Sequence, residues 1–180
     1  DRKTSVNVLI SNNSWEYEDQ NDYTWSAASY DAATRDALPG RAGDQQVIYV
    51  FPAGNSGAGT DNGLNASPGT ISAPGTAKNV ITVGAIESLR YLTNEVITGY
   101  MDQVTTNDVG VAETNQIPIL EKAFLPETDS STEVAAFSSR GNVGVGVEGE
   151  GGRFKPDVVA PGTFIVSTRS KHWENPENDQ

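Results

Sequence analysis

Residues 47–57 read VIYVFPAGNSG, and this stretch decides how the rest of the sequence is interpreted. The first five residues form an apolar run whose length suits a buried strand of a parallel sheet. The next six residues are those of tight turns. The turn presents Asn55 at the end of the strand, where its side-chain NH2 group can donate to an oxyanion. A turn that only closes the strand is the alternative.

Two further apolar runs of strand length flank this stretch, residues 6–10 (VNVLI) and residues 80–86 (VITVGAI). Residues 24–38 are rich in Ala and are predicted to form a helix. Their larger apolar residues fit one helical face, namely Trp25, Ala28, Ala32 and Leu38. Thr24 or Asp22 can cap the N-terminus of this helix, and the Pro-Gly pair at residues 39–40 can end it.

The order strand, helix, strand, loop, strand predicts an α/β fold, with a parallel sheet, a flanking helix and a right-handed crossover. The 18 Gly and 9 Pro residues predict that the fold is rich in loops. We interpret residues 88–132 as an insertion with short, irregular strands inside a single domain of residues 1–180. Three shorter β-prone runs follow at residues 134–137, 157–160 and 164–167.

The residues that follow the first two strands are expected to hold the chemistry, because ligands of open parallel sheets bind beyond the carboxyl ends of the strands. Residues 10–15 (ISNNSW) run from an apolar strand into polar side chains and an aromatic ring. Such a segment can pair, strand to strand, with an extended peptide. A loop whose Asn and Ser side chains cap the following helix is the alternative.

The composition excludes several classes of function. The 180 residues include 24 acidic and 12 basic side chains, a net charge of −12, which argues against nucleic-acid binding because phosphates require clustered Lys and Arg. An acidic surface keeps a protein soluble, and it is also compatible with cation binding. The absence of Cys excludes disulfides and Cys-based zinc sites. No apolar run is long enough to span a membrane.

Five segments in a fixed order resemble the subtilase family of serine proteases. They read SNNSW (11–15), VFPAGNSG (50–57), TISAPGTAKNVITVGAIES (70–88), AAFSSRG (135–141) and GGRFKPDVVAPGTFIVSTRS (151–170). The resemblance covers about two thirds of the chain, residues 6–89 and 134–170. It implies a partial subtilisin-like fold and a parent protein that hydrolyses peptide bonds by acyl transfer.

The resemblance also implies roles for particular residues around the expected cleft. Asn55 matches the oxyanion-hole residue of the family. Six residues match the two walls of the specificity pocket, of which the first wall also pairs with the substrate backbone: Ser14, Trp15 and Glu16, and facing them Pro52, Ala53 and Gly54. Glu16 departs from the usual Gly, so its carboxylate either repels acidic substrate side chains or points to solvent. Pro52 departs from the usual Ala and lacks a backbone N–H.

A turn near this pocket, Ala73-Pro74-Gly75, often carries a cis peptide bond in the family, and we expect a cis bond between Ala73 and Pro74. In some subtilases the carbonyl groups just after this turn bind a metal ion. Here those carbonyls belong to Gly75, Ala77 and Val80, and the resemblance allows a structural Na⁺ or Ca²⁺ there, since hard cations take oxygen ligands. A turn without a metal ion is the alternative, and no cofactor is required.

The catalytic triad of the family is missing from the sequence. Its Asp, His and Ser lie in Asp-Thr/Ser-Gly, His-Gly-Thr and Gly-Thr-Ser motifs, none of which occurs here. The one histidine, His172, stands in Lys-His-Trp near the end of the chain. The resemblance therefore places the chain between the segments that carry the His and the Ser, and its ends are expected to be cuts inside a larger gene product. The chain alone is expected to be inactive.

Two other functions are compatible with these residues. One is a non-catalytic, peptide-binding relative of the subtilases, and the other is an interaction domain in which Asn55 points into packing. Residues 144–149 (GVGVEG) fit the dinucleotide pattern G-x-G-x-x-G, but the Gly and Pro residues that follow prevent the helix that such a site needs.

The resemblance finally predicts partners and a location. The substrate would be a peptide or protein, and the location would be extracellular or periplasmic. In the family, the helices that carry the His and the Ser cover the sheet, so this chain is expected to leave an apolar sheet face uncovered. Such faces drive association, and we expect the chain to self-associate.

Overall fold

The computed structural model describes residues 9–168. The elements of this range are β1 (Ile10–Asn12), α1 (Trp25–Ala33), β2 (Ile48–Pro52), β3 (Ile81–Ile86), β4 (Val96–Thr106), β5 (Ala112–Glu121) and β6 (Val158–Pro161). Strands β1, β2, β3 and β6 form one parallel sheet in that order, and β4 and β5 form a separate antiparallel pair. The predicted α/β fold with a parallel sheet and a flanking helix is confirmed.

The two faces of the parallel sheet differ in how they are covered. Phe51 and Thr82 are paired neighbours on one face, and both are fully buried. Ala27 of α1 packs with Phe51 on this face. The opposite face carries one apolar side chain from each strand that is 39 to 63% exposed: Ile10, Ile48, Ile81 and Val158. The apolar face that we expected to be uncovered is therefore present among the described residues.

Helix α1 begins where predicted but ends early and buries a different face. The Thr24 hydroxyl caps it by accepting the Ala27 N–H at 3.4 Å. The helix ends at Ala33 because the Thr34 hydroxyl donates back to a backbone carbonyl of the last turn, which competes with further helical bonds. The predicted apolar face is wrong, since Trp25 is 92% exposed, and the buried helical residues are Ala27 and Asp31.

Asp31 explains the orientation of the helix. It is 8% exposed, and its carboxylate accepts the backbone N–H groups of Lys78 (3.0 Å) and Asn79 (2.6 Å) and the Tyr23 hydroxyl (2.7 Å). A buried carboxylate is tolerated when several donors satisfy it. These bonds tie α1 to the turn that leads into β3.

Residues 88–132 differ most from the prediction of short, irregular strands. Strands β4 and β5 have 11 and 10 residues and pair along their full length, from Val96 with Glu121 to Thr106 with Ala112. Most of their side chains are exposed, so the alternation of apolar and polar residues that reveals a strand is weak.

The remaining predicted strands are partly correct. Residues 157–160 correspond to β6, whereas residues 134–137 contribute only a single bridge between Val134 and Ile86. Residues 164–167 form no strand. Most of the predicted first strand, residues 6–8, lies outside the described residues. No helix within residues 9–168 has the length and apolar character needed to cross a membrane.

Replacing Asp31 with Ala should lower the free energy of unfolding by about 3 kcal/mol, because it removes a carboxyl acceptor and leaves two backbone N–H groups without partners. Urea denaturation followed by circular dichroism measures this change. Asp44→Ala removes an exposed carboxylate and should change the free energy by less than about 0.5 kcal/mol. Equal losses in the two variants would contradict the role given to Asp31.

Candidate functional site

A cleft of about 480 Å³ opens at the carboxyl ends of the parallel strands. Residues 12–16 form one side of it, residues 50–55 form another, and residues 83–85 lie at the β3 edge. This is the place where open parallel sheets bind ligands. All seven residues predicted for catalysis and substrate binding line the cleft: Ser14, Trp15, Glu16, Pro52, Ala53, Gly54 and Asn55.

The strip of residues 14–16 has a free main chain. Backbone hydrogen bonds hold it at both ends, since the Asn13 N–H donates to the Val50 carbonyl (2.9 Å) and the Tyr17 N–H donates to the Ala73 carbonyl (2.8 Å). Between these two bonds, the N–H and C=O groups of residues 14–16 have no backbone partner within residues 9–168. An extended strip of this kind is able to pair with the backbone of a peptide.

Trp15 anchors this strip to the rest of the fold. Its ring meets the ring of Phe51 edge-on, with centroids 5.4 Å apart, and lies 6.2 Å from the ring of Tyr30. Phe51 belongs to β2 and Tyr30 to α1, so the two contacts of this one ring position the strip against both elements.

The facing wall is a turn whose backbone is held from a distant segment. The Gly54 carbonyl accepts the Ser139 N–H (3.0 Å), and the Ser139 hydroxyl accepts the Ser56 N–H (3.1 Å). Between them, Asn55 is exposed, and its side chain forms no hydrogen bond with any other described residue. Asn55 does not point into packing, as a purely structural interaction domain would require.

Ser139 is a positioning residue that our sequence analysis missed. The segment AAFSSRG carries part of the family resemblance, but nothing within it assigns a role to its serines. Ser139 is the second Ser of this short motif, which lies far along the chain from Asn55. Only the structure shows that the hydrogen-bond partners of Ser139 are Gly54 and Ser56, on either side of Asn55.

Gly54 leaves room for the Glu16 carboxylate. Gly54 has φ +110°, and an added Cβ would lie 2.7 Å from Glu16 Oε2 and Ser139 Oγ and 2.8 Å from Ser72 Oγ. These three polar atoms therefore converge over the Gly54 backbone. The Glu16 side chain is therefore half-buried, with Oε2 turned toward the Gly54 backbone and not out to solvent.

The Glu16 carboxylate keeps an oxygen without a partner. Its Oε2 is buried, and no described residue donates a well-aligned hydrogen bond to it. Burial raises the pKa of Glu16, the nearby Ser72 hydroxyl and Asn55 N–H lower it in part, and the Glu18 charge raises it further. Because Oε2 is enclosed between the Gly54 backbone and the Ser72 and Ser139 hydroxyls, a ligand in the cleft could reach the Glu16 carboxylate only through its other oxygen, Oε1.

The carbonyls of the expected metal site already accept side-chain donors. The pairs are Gly75 with Thr82 Oγ1 (2.6 Å), Ala77 with Arg153 Nη1 (3.3 Å) and Val80 with Lys155 Nζ (3.0 Å). Two of these donors are cations, which would repel a metal ion. The residues present therefore do not fit Na⁺ or Ca²⁺ at this place. The cis bond predicted between Ala73 and Pro74 is present.

Two other sequence features take no part in the cleft. Residues 144–149 lie in turns, and no helix starts on them, so the context of a dinucleotide site is missing there. His172 lies outside the described residues.

The fold is thus an α/β protein with a parallel sheet, whose carboxyl edge holds a free main-chain strip on one side of the cleft and an exposed Asn on the other. The model of the subtilase family matches residues 3–179. This chain belongs to the subtilase family, which is a family of serine peptidases. A comparison with curated proteins finds no match.

Gly54→Ala should destabilise the protein more than Gly149→Ala. Gly149 has nearly the same φ, +108°, but an added Cβ there meets nothing within 4 Å. The strain of an L-residue at positive φ, about 1–2 kcal/mol, is therefore common to both variants. Overpacking against three polar atoms should add about 1–3 kcal/mol in Gly54→Ala alone. Urea denaturation measures both losses, and equal losses would show that the space over Gly54 is not filled.

Proposed function

We propose that this chain is part of the catalytic domain of a serine endopeptidase, in which it supplies the oxyanion-hole residue and the walls of the substrate cleft. The position of Asn55 carries the proposal. Its side chain is exposed at the cleft and without a partner among the described residues, on a turn that Ser139 holds in place. A donor fixed in this way before the reaction stabilises developing charge without reorganisation.

The proposed mechanism uses the two walls of the cleft in different ways. The main chain of residues 14–16 pairs with the backbone of the substrate and aligns the scissile carbonyl. The Asn55 side-chain NH2 group then donates to the oxyanion of the tetrahedral intermediate. The nucleophilic Ser, the general-base His and the Asp that orients it must come from elsewhere, because none of their motifs occurs in this sequence.

The uncovered sheet face supports the proposal that the chain is inactive alone. Ile10, Ile48, Ile81 and Val158 expose apolar surface on the face opposite α1. We propose that the segments with the His and the Ser cover this face in the complete domain. Without them, the same face should drive self-association of the chain.

The family to which the chain belongs supports a proposal for its location. Subtilases are commonly secreted, and we propose an extracellular or periplasmic location with peptides or proteins as substrates.

The alternative function is that of a peptide-binding relative without catalytic activity, which would have the same cleft. The open reading frame separates the two, since only the peptidase requires the three triad motifs.

A fluorophosphonate probe should label no serine of this chain, because no serine stands in the motif that activates the nucleophile. A longer product of the same reading frame that contains the three motifs should be labelled. In that product, Asn55→Ala should lower kcat about 10²- to 10³-fold with little change in KM, a magnitude measured on a subtilisin and carried over here.

Asn94→Ala is the matched control for this experiment, because Asn94 is exposed and does not line the cleft. It should leave kcat unchanged. Labelling of a serine in the chain alone would contradict its proposed inactivity, and equal kcat values for the two Asn variants would contradict the role of Asn55.

We also propose that Glu16 selects for basic side chains. Its carboxylate belongs to a residue of the cleft wall, so a Lys or Arg side chain of the substrate could pair with it. An acidic side chain would be repelled. In a partly buried site an ion pair is screened less than at the surface.

The chain should therefore bind an extended peptide that contains Arg about tenfold more tightly than the same peptide with Glu in place of Arg, and Glu16→Gln should abolish this preference.

Affinity for the Arg peptide should fall as the pH is lowered, because protonation removes the Glu16 charge. Since the pKa of Glu16 is raised, the fall should occur at a higher pH than for an ordinary Glu. Titration calorimetry at several pH values measures this. Glu18→Gln, which changes an exposed neighbour, should keep the preference, and an unchanged preference in Glu16→Gln would refute the proposal.

A further inference from the structure

Three carboxylates meet at the base of the segment of residues 88–132, away from the cleft. Glu87, Asp129 and Glu133 each offer one oxygen, and these oxygens lie within 4.8 Å of one another. Glu87 directly precedes the segment, whereas the other two stand at its far end. No role in peptide binding or hydrolysis accounts for this grouping.

Backbone hydrogen bonds hold Glu87 and Glu133 together. The Glu87 N–H donates to the Glu133 carbonyl (3.0 Å), and the Ala135 N–H donates to the Ala85 carbonyl (3.0 Å). The chain that leaves β3 is thereby paired with the chain that returns from the hairpin of β4 and β5. The carboxylates are close because the fold brings them together, and little further ordering is needed for them to bind a ligand.

Glu87 is the residue that points to a ligand. It is 1% exposed, although it is an acid. Its Oε2 accepts the Ser130 N–H (3.2 Å), whereas its Oε1 is buried and has no hydrogen-bond partner among the described residues. A buried acceptor without a partner costs about 1–3 kcal/mol, and more when it is charged.

The surroundings of Glu87 increase this cost. Burial raises the pKa of Glu87, the Ser130 N–H lowers it in part, and the charges of Glu133, Asp61 and Asp129 raise it further. The salt bridges found within residues 9–168 involve none of these carboxylates. No protein cation described here therefore offsets the negative charge.

We propose that Glu87, Asp129 and Glu133 bind one Ca²⁺ ion. Ca²⁺ takes oxygen ligands at about 2.3–2.6 Å in flexible geometry, so ligands on opposite sides of the ion lie about 5 Å apart. The spacing of the three oxygens fits this limit. The exposed Asp129 and the half-buried Glu133 leave a path for the ion, and water would complete the six to eight ligands that Ca²⁺ takes.

The bound ion would join both ends of the segment of residues 88–132 to the sheet. Glu87 follows Ile86, the last residue of β3, and the other two ligands follow the hairpin. The ion would therefore fix the hairpin to the edge of β3. This inference is independent of the proposed peptidase activity and of the carbonyls of Gly75, Ala77 and Val80.

Calorimetric titration of the chelator-treated chain with CaCl₂ tests the proposal. We expect one Ca²⁺ per chain, a higher melting temperature with Ca²⁺, and much weaker binding of Mg²⁺, which demands a smaller octahedral site. Asp129→Asn should weaken Ca²⁺ binding at least tenfold without unfolding the protein, because Asp129 is exposed. Glu87→Gln should abolish binding. Asp108→Asn changes an exposed carboxylate of the same segment and should leave the affinity unchanged.

Two outcomes would overturn the proposal. One is no heat of binding and no change in melting temperature at millimolar Ca²⁺, which would leave a protonated Glu87 as the explanation of the buried acid. The other is binding that persists in both Glu87→Gln and Asp129→Asn, which would place the ion elsewhere on the chain.

Discussion

The end of β2 turns sharply against the side chains of Glu16, Ser72 and Ser139, and only a residue without a Cβ fits there. Gly54 satisfies this constraint at φ +110°. The next residue, Asn55, consequently projects into the cleft, and the Glu16 carboxylate comes to lie in the cleft wall. The geometry of the candidate site thus depends on one close approach between a backbone and three polar side chains.

The sheet that carries this turn is covered on one side. The Asp31 carboxylate fixes α1 to the turn before β3, so that Ala27 packs on Phe51 and buries one face. The other face exposes apolar residues on all four strands. A cleft with an exposed Asn side chain, on a sheet that is covered on one face only, supports the proposal that the chain is part of a catalytic domain rather than a finished binding module.

The sequence predicted the features that have local signals. Short apolar runs that end in Gly- and Asn-rich turns indicated the parallel sheet and the place of the cleft, and the resemblance indicated the cis bond before Pro74. The helical face was predicted wrongly, because size favoured Trp25 whereas three hydrogen bonds to Asp31 decided the orientation. The long hairpin was missed because its exposed strands alternate weakly. Ser139 and the carboxylates around Glu87 were missed because their partners lie more than 40 residues away along the chain.

The central claim is that residues 14–16 and the turn at Asn55 bind the backbone of an extended peptide. Amide hydrogen exchange, measured by NMR with and without such a peptide, tests it most directly. The account predicts slower exchange of the N–H groups of residues 14–16 and a shift of the Asn55 side-chain amide signals when the peptide binds. Protection confined to other parts of the chain, with these signals unchanged, would contradict it.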